Sequence, residues 1–126
     1  MLSVKKLIYK ILQCPHVVES GTSGGWEYRK WSDGTAECWR SVTSSAFAPT
    51  TSVGGFYGRA LASGQFPTGL FISVPVVSFN CDQWGSGYFF GSIYNLTKDS
   101  YSTLLLRNDN TASTYHASVY AIGKWQ

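Results

Sequence analysis

A β-hairpin signal at residues 26–42 constrains the fold more than any other part of the chain. Asp33-Gly34 lies between two runs that alternate aromatic and polar side chains, and Asp-Gly in that setting predicts a two-residue type I′ turn. The register that follows puts three favourable pairs directly across the hairpin: Lys30 with Glu37, Glu27 with Arg40, and Tyr28 with Trp39. Such pairs stabilise a hairpin modestly, but their coincidence with the turn supports the register.

The composition indicates β-structure for the rest of the chain as well. The 126 residues fit one domain, only 13% of them are charged, and 16% are aromatic. Many aromatic residues combined with Gly, Ser and Thr favour β-strands joined by tight turns. Low charge and frequent Tyr and Trp are also typical of surfaces buried between subunits.

The remaining strands are predicted from apolar runs bounded by turn residues. A short strand is expected near residues 54–61, and longer ones are expected at Leu70–Phe79, Tyr88–Leu96, Tyr101–Arg107 and Tyr115–Ile122. Pro75 indicates that the first of these longer strands bends or lies at an edge. The sequence therefore predicts an all-β fold, an antiparallel β-sandwich head over residues 26–126 with a meander in its second half. The last strand is apolar on both faces, so its second face is expected to meet another subunit.

A short amphipathic helix is predicted before the head. Val4, Leu7, Ile11 and Cys14 recur at spacings of three and four, and Pro15 ends the pattern. Residues 1–15 fit two structures equally well: a helix that covers a sheet, or the end of a parallel coiled-coil stalk with these four residues as the oligomer seam. The Gly-rich segment 16–25 is expected to be a linker.

Several classes of partner and compartment are not favoured by the sequence. The net charge is only +3, and no cluster of Lys or Arg indicates a nucleic-acid surface. Lysines interrupt the apolar residues near the start, so neither a membrane span nor a signal peptide is expected. Cys14, Cys38 and Cys81 form no disulfide or metal-ligand pattern and are expected to be buried free thiols, as in a protein made in a reducing cytoplasm.

The sequence does not favour an enzyme. The two histidines, His16 and His116, have no nucleophile motif beside them, and two of the seven acidic residues are assigned to ion pairs. No phosphate-binding or dinucleotide-binding motif is present. We therefore expect no catalytic residues, no metal and no cofactor.

A sugar site is the ligand site that the sequence favours, because it needs an aromatic face beside amides or carboxylates. Two polar segments supply such groups, and loops at one end of a rigid sandwich are common places for binding. The candidate ligand-binding residues are Asn80, Asp82, Gln83, Trp84 and Tyr88 in the first segment, and Asn108 and Asp109 in the second. The alternative is structural: Asn and Asp are also what turns require, and Trp84 could belong to the core.

The hairpin sequence also resembles a known pattern. Residues 19–42 are similar to a stretch, roughly GTSG-W-YRKW-SG-AECW, in tail and minor structural proteins of phages and prophages of Gram-positive bacteria. The end of the chain, Val119–Trp125, is similar to the last strand of those domains. A weaker likeness is to the H-type lectin sandwich, a six-stranded trimeric sugar binder.

The resemblance implies a trimeric β-sandwich head on a fibrous stalk, located in the virion tail and in contact with other tail proteins. It carries no ligand residues, so Trp26, Tyr28, Trp31 and Trp39 are read as packing residues, with a sugar platform as the alternative. The expected function is a fibre-tip module that binds a bacterial surface glycan. Two alternatives stay open: an architectural trimerisation or capping domain, and a free-standing lectin-like protein.

Overall fold

A computed structural model describes residues 3–43, 48, 51–60, 64–84, 89–112 and 114–126, with the backbone alone at 9, 11, 12, 53, 82–84, 89 and 115. One helix and ten strands are formed by these residues: α1 (Val4–Gln13), β1 (Val17–Ser23), β2 (Trp26–Trp31), β3 (Thr35–Thr43), β4 (Thr51–Val53), β5 (Phe56–Ala60), β6 (Gly64–Gln65), β7 (Val76–Trp84), β8 (Phe89–Tyr94), β9 (Ser100–Arg107) and β10 (Tyr115–Lys124).

The strands form two antiparallel sheets, which confirms the predicted all-β sandwich. The first sheet has the order β1-β2-β3-β10-β7. In the second sheet β9 pairs with β5, β6 and β8, and β5 also pairs with β4. The predicted meander is wrong beyond the β8–β9 hairpin, because β10 returns to the first sheet and lies between β3 and β7.

The core lies between the sheets and is rich in aromatic side chains. Trp26 of β2 packs edge-on against Tyr101 of β9, with ring centres 6.1 Å apart. Phe66 lies beside both rings, and Leu105 and Val119 are also buried. In β10, alternate residues Ala117, Val119 and Ala121 are buried, as the period-2 pattern predicts.

The hairpin at residues 26–42 forms, but its register differs by one residue from the prediction. Glu27 lies opposite Trp39, Tyr28 opposite Cys38, Arg29 opposite Glu37, and Lys30 opposite Ala36. The predicted pairs Lys30–Glu37, Glu27–Arg40 and Tyr28–Trp39 are therefore wrong.

The physical reason for this shift is a longer loop. The Gly34 N–H donates to the Trp31 carbonyl at 3.1 Å, and Gly34 has a φ of 91°. This is a type I turn followed by a left-handed residue, which makes a three-residue loop with a bulge. The Asp33 carboxylate accepts a hydrogen bond from the Thr35 N–H at 2.9 Å and fixes the turn.

The predicted linker is also wrong in its local structure. Val17–Ser23 form strand β1, which pairs along β2 and becomes one edge of the first sheet. The His16 carbonyl accepts a hydrogen bond from the Ser32 N–H at 2.8 Å, so the chain between helix and strand is tied to the hairpin loop. Residues 70–75, predicted as strand, instead lead into β7, which begins directly after Pro75.

Helix α1 forms where the sequence predicts it, and no described strand lies against it. Its apolar stripe is open: Val4 is 72% exposed and Leu7 is 50% exposed. Cys14 is exposed rather than buried, in contrast to Cys38, which is buried as expected. The alternative in which the helix covers a sheet is therefore wrong within the described chain. The ten-residue α1, the only helix among the described residues, is too short to cross a membrane.

Candidate functional site

The described residues of the first predicted binding segment lie on a strand, β7. Asn80 is an exposed residue of β7 opposite Ser118 of β10. The backbone of Asp82, Gln83 and Trp84 continues the same strand past a bulge opposite His116 and Ala117, and their side chains lie outside the described part of the chain. Tyr88 also lies outside the described residues. The structure thus places the start of this cluster at a sheet edge.

The second predicted segment is a turn stabilised by an ion pair. The Asp109 carboxylate lies 2.8 Å from the guanidinium of Arg107, which is only 1% exposed, and it accepts the Thr111 N–H at 3.0 Å. The hydrogen bond from Thr111 and the Arg107 charge hold the pKa of Asp109 below its ordinary value. Asp109 therefore fixes the β9–β10 turn, and Asn108 is exposed beside it.

Strand directions bring the two segments to one end of the sandwich. β7 ends at Trp84, which is opposite Tyr115, and Tyr115 follows the Asn108–Asp109 turn. Helix α1 enters at the opposite end, where Val17 pairs with Trp31 and Thr35 pairs with Lys124. The predicted binding segments thus lie at the end of the head that is far from the helix.

A second cluster lies on the outer face of the first sheet. From the sequence, Glu37 was expected to pair with Lys30, and Trp31 to pack the hairpin or to serve as part of a sugar platform. Glu37 of β3 lies at the centre of this cluster and is 7% exposed. Its carboxylate lies 2.7 Å from the Arg29 guanidinium and accepts hydrogen bonds from the Trp31 indole N–H at 3.2 Å and from the Tyr120 hydroxyl. One carboxylate thus joins side chains from β2, β3 and β10.

Burial and hydrogen bonding set the ionisation states in this outer cluster. Burial alone would raise the pKa of Glu37, but the hydrogen bonds from Tyr120 and Trp31 and the Arg29 charge outweigh it, so the pKa lies below 4.5. Burial, followed by the hydrogen bond to Glu37, raises the pKa of Tyr120 to about 12. Glu37 is therefore an anion, and Tyr120 a neutral donor, throughout the neutral range.

Beside this cluster is a shallow pocket with the groups that a sugar site uses. It has a volume of about 300 Å³ and is lined by Ser20, Gly21, Thr22, Glu27, Tyr28, Arg29 and Trp39. The Arg29 guanidinium stacks 4.9 Å from the Trp39 ring centre, and the Trp39 indole N–H donates to the Glu27 carboxylate at 2.8 Å. An exposed carboxylate, two hydroxyls and an aromatic ring thus surround one cavity, which we call the β1–β3 pocket.

The β1–β3 pocket could not be located from the sequence because Ser20 and Thr22 belong to the segment predicted as a linker. Trp39 and Glu27 carried a usable signal, since both belong to the hairpin considered as a possible sugar platform. Among the described residues, no three His, Cys, Asp or Glu side chains lie close enough together to share a metal ion.

Comparison with known proteins gives a structural likeness. No family model matches the sequence, and no curated protein is significantly similar to it. The fold is similar to that in the structure of an N-truncated R1-type pyocin tail fiber, with a TM-score of 0.62 over 98% of each chain and 18% sequence identity. This likeness extends from helix to last strand, and at that identity it establishes a shared fold.

Proposed function

We propose that the chain is the head module of a trimeric tail fibre and that it binds a glycan on a bacterial surface. The observation that carries the proposal is the shared fold with an R1-type pyocin tail fiber over nearly the full length of both chains. The resemblance of residues 19–42 to phage tail proteins led to the same expectation from the sequence. The proposed role is binding, and it assigns no catalytic step to any residue.

The trimer is supported by apolar surface that the described chain leaves open. An isolated ten-residue helix is marginal in water, so the stripe of α1 needs a partner to be stable. Copies of the same helix would cover it, with Val4, Leu7, Ile11 and Cys14 as the proposed seam. The exposed side chains of Ile72, Val74 and Val76 give a second apolar area beside the edge strand β7.

Glycan binding is supported by the chemistry of the β1–β3 pocket. Trp39 offers a ring face or edge, Glu27 a carboxylate, and Ser20 and Thr22 hydroxyl groups. Glu27 keeps one carboxylate oxygen beyond the one that accepts the Trp39 indole N–H. Three copies on one tip would multiply a weak affinity for a repeating polymer.

The experiment is binding of the intact chain to immobilised bacterial surface polysaccharides. The wild-type protein is expected to bind at least one polysaccharide, and Glu27→Gln is expected to weaken that binding by about tenfold or more. Asp99→Asn is the matched control, because it removes the same charge from an exposed turn outside the pocket. Absence of binding across the panel, or equal binding by wild type and Glu27→Gln, would contradict the proposed site.

An architectural cap without a ligand is the second candidate. It is favoured because the carboxylates of Glu37 and Asp109 both form ion pairs within the chain. A trimer that binds no polysaccharide in the experiment above would support this candidate.

A further inference from the structure

A second polar pocket opens between the two sheets, away from the β1–β3 pocket. It has a volume of about 250 Å³, and its lining includes Ser23, Gly24, Trp26, Arg40, Gln65 and Thr68. Arg40 projects from the inner side of β3, where its guanidinium carbon lies 4.7 Å from the Trp26 ring centre. One wall of this pocket is thus an arginine stacked on a buried indole.

The positive charge of Arg40 has no negative partner among the described residues. Its Nη2 group donates to the neutral Tyr101 hydroxyl at 2.9 Å, and its buried Nε–H group has no hydrogen-bond partner in the described chain. No described carboxylate forms a salt bridge with it. A partly buried guanidinium with an unpaired N–H donor lowers the stability of the fold unless an acceptor binds to that donor.

The neighbouring ionisable groups cannot supply that charge at neutral pH. Burial raises the pKa of Tyr101 above its ordinary value despite the nearby Arg40 charge. Burial likewise raises the pKa of the Cys38 thiol to about 12. Both groups are therefore neutral where the protein is expected to work, and Arg40 stays uncompensated.

We propose that this pocket binds an oxyanion, the carboxylate or phosphate of an acidic sugar, through Arg40 with Ser23 and Thr68 at its sides. A planar guanidinium matches such groups by charge-assisted hydrogen bonds, and its stacking on Trp26 fixes its orientation beforehand. The inference goes beyond the proposed function, because small anions test it whether or not the chain binds a cell-surface polysaccharide.

The test follows the Arg40 Nε–H and Trp26 indole N–H signals by NMR during titration of the intact chain. Three probes of similar size are used: glucuronate, glucose 6-phosphate and neutral glucose. A saturable shift of both signals with either anion but not with glucose is expected, and the anion that binds more tightly identifies the carboxylate or the phosphate as the ligand group. Absence of a saturable shift with both anions, or an equal response to glucose, overturns the proposal.

Variants distinguish anion binding in this pocket from a general effect of the protein's net charge. Arg40→Gln keeps a polar side chain but removes the charge, and it is expected to lower affinity for the anion at least about tenfold. Lys98→Gln removes the same charge from an exposed turn and is expected to leave the affinity unchanged. Because Arg40→Gln could disturb the core, Thr68→Glu provides a second test: it places a competing carboxylate at an exposed position of the rim. Unchanged anion affinity in either folded variant overturns the proposal.

Discussion

Glu37 is the residue whose ionisation most directly links the strands of the outer face. Glu37→Gln replaces the anion that Arg29, Trp31 and Tyr120 share. Since hydrogen bonds to charged groups contribute about 1.5–3 kcal/mol each, we expect a loss of roughly this size in the free energy of unfolding at pH 7. Urea denaturation of both proteins measures it, and equal stability would show that the buried carboxylate contributes nothing net.

The stability difference between wild type and Glu37→Gln should also depend on pH, in a direction that the pKa of Glu37 fixes. The folded-state pKa of Glu37 lies below the ordinary value of 4.5. Its contribution is therefore fully present above pH 4.5 and is lost as the pH falls through the lower folded-state value. The stability difference between wild type and Glu37→Gln should narrow below pH 4.5, and a difference that widened there would contradict the assigned ionisation.

Gly91 marks a place where the two sheets approach too closely for a side chain. A Cβ atom there would lie 2.9 Å from Leu105 and would collide with the Phe79 ring of the facing sheet. Overpacking of this kind costs about 1–3 kcal/mol, so Gly91→Ala should lower the denaturation midpoint. The exposed neighbour variant Ser92→Ala should stay within about 0.5 kcal/mol of wild type. Equal effects of the two variants would indicate that the sheets can separate at little cost.

At the scale of elements, the hairpin register can be tested by double-mutant cycles. Because Glu37 contacts Arg29 and not Lys30, the Arg29–Glu37 pair should show a coupling energy of about 0.5–3 kcal/mol. The Lys30–Glu37 pair is the control, since Lys30 instead lies 3.2 Å from Glu19, and its coupling should be close to zero. A larger coupling energy for Lys30–Glu37 than for Arg29–Glu37 would contradict this register and indicate the two-residue loop.

The hairpin also shows what the sequence can and cannot predict about an element. Asp33-Gly34 correctly predicts a turn, but glycine with positive φ fits both a two-residue and a three-residue loop. A contact remote in sequence accompanies the longer loop: the Trp125 N–H donates to the Gly34 carbonyl at 2.9 Å. Local residue patterns contain no information on that contact.

Strand β1 and the β1–β3 pocket depend on tertiary pairing for the same reason. The segment Val17–Ser23 mixes good strand formers, two valines and a threonine, with the poor strand formers Glu19 and Gly21. It forms a strand because β2 offers it an open edge. The aromatic and acidic members of the pocket, Trp39 and Glu27, were recognisable from the hairpin. Ser20 and Thr22 were not, because the edge strand that presents them was not predicted.

At the scale of the whole molecule, the fold and the order of its parts are compatible with the proposed fibre head. The amphipathic helix enters at one end, and the end of β7 and the Asn108–Asp109 turn lie at the other. The sequence predicted the helix and the polar turn at Asn108 and Asp109 but not the exchange of β10 into the first sheet, since pairing between distant strands leaves no local pattern. The proposed trimer and its helical seam are the part of the account that most needs a direct test.

That test is the solution mass of the intact chain by multi-angle light scattering. The account predicts a trimer of about three times 13.9 kDa for the wild-type protein. It predicts a lower mass for Leu7→Asp, which places a charge in the exposed apolar stripe, and an unchanged mass for Lys6→Asp on the same helix outside that stripe. A wild-type mass of 13.9 kDa, or a trimer that Leu7→Asp leaves intact, would contradict the helical seam at the centre of the account.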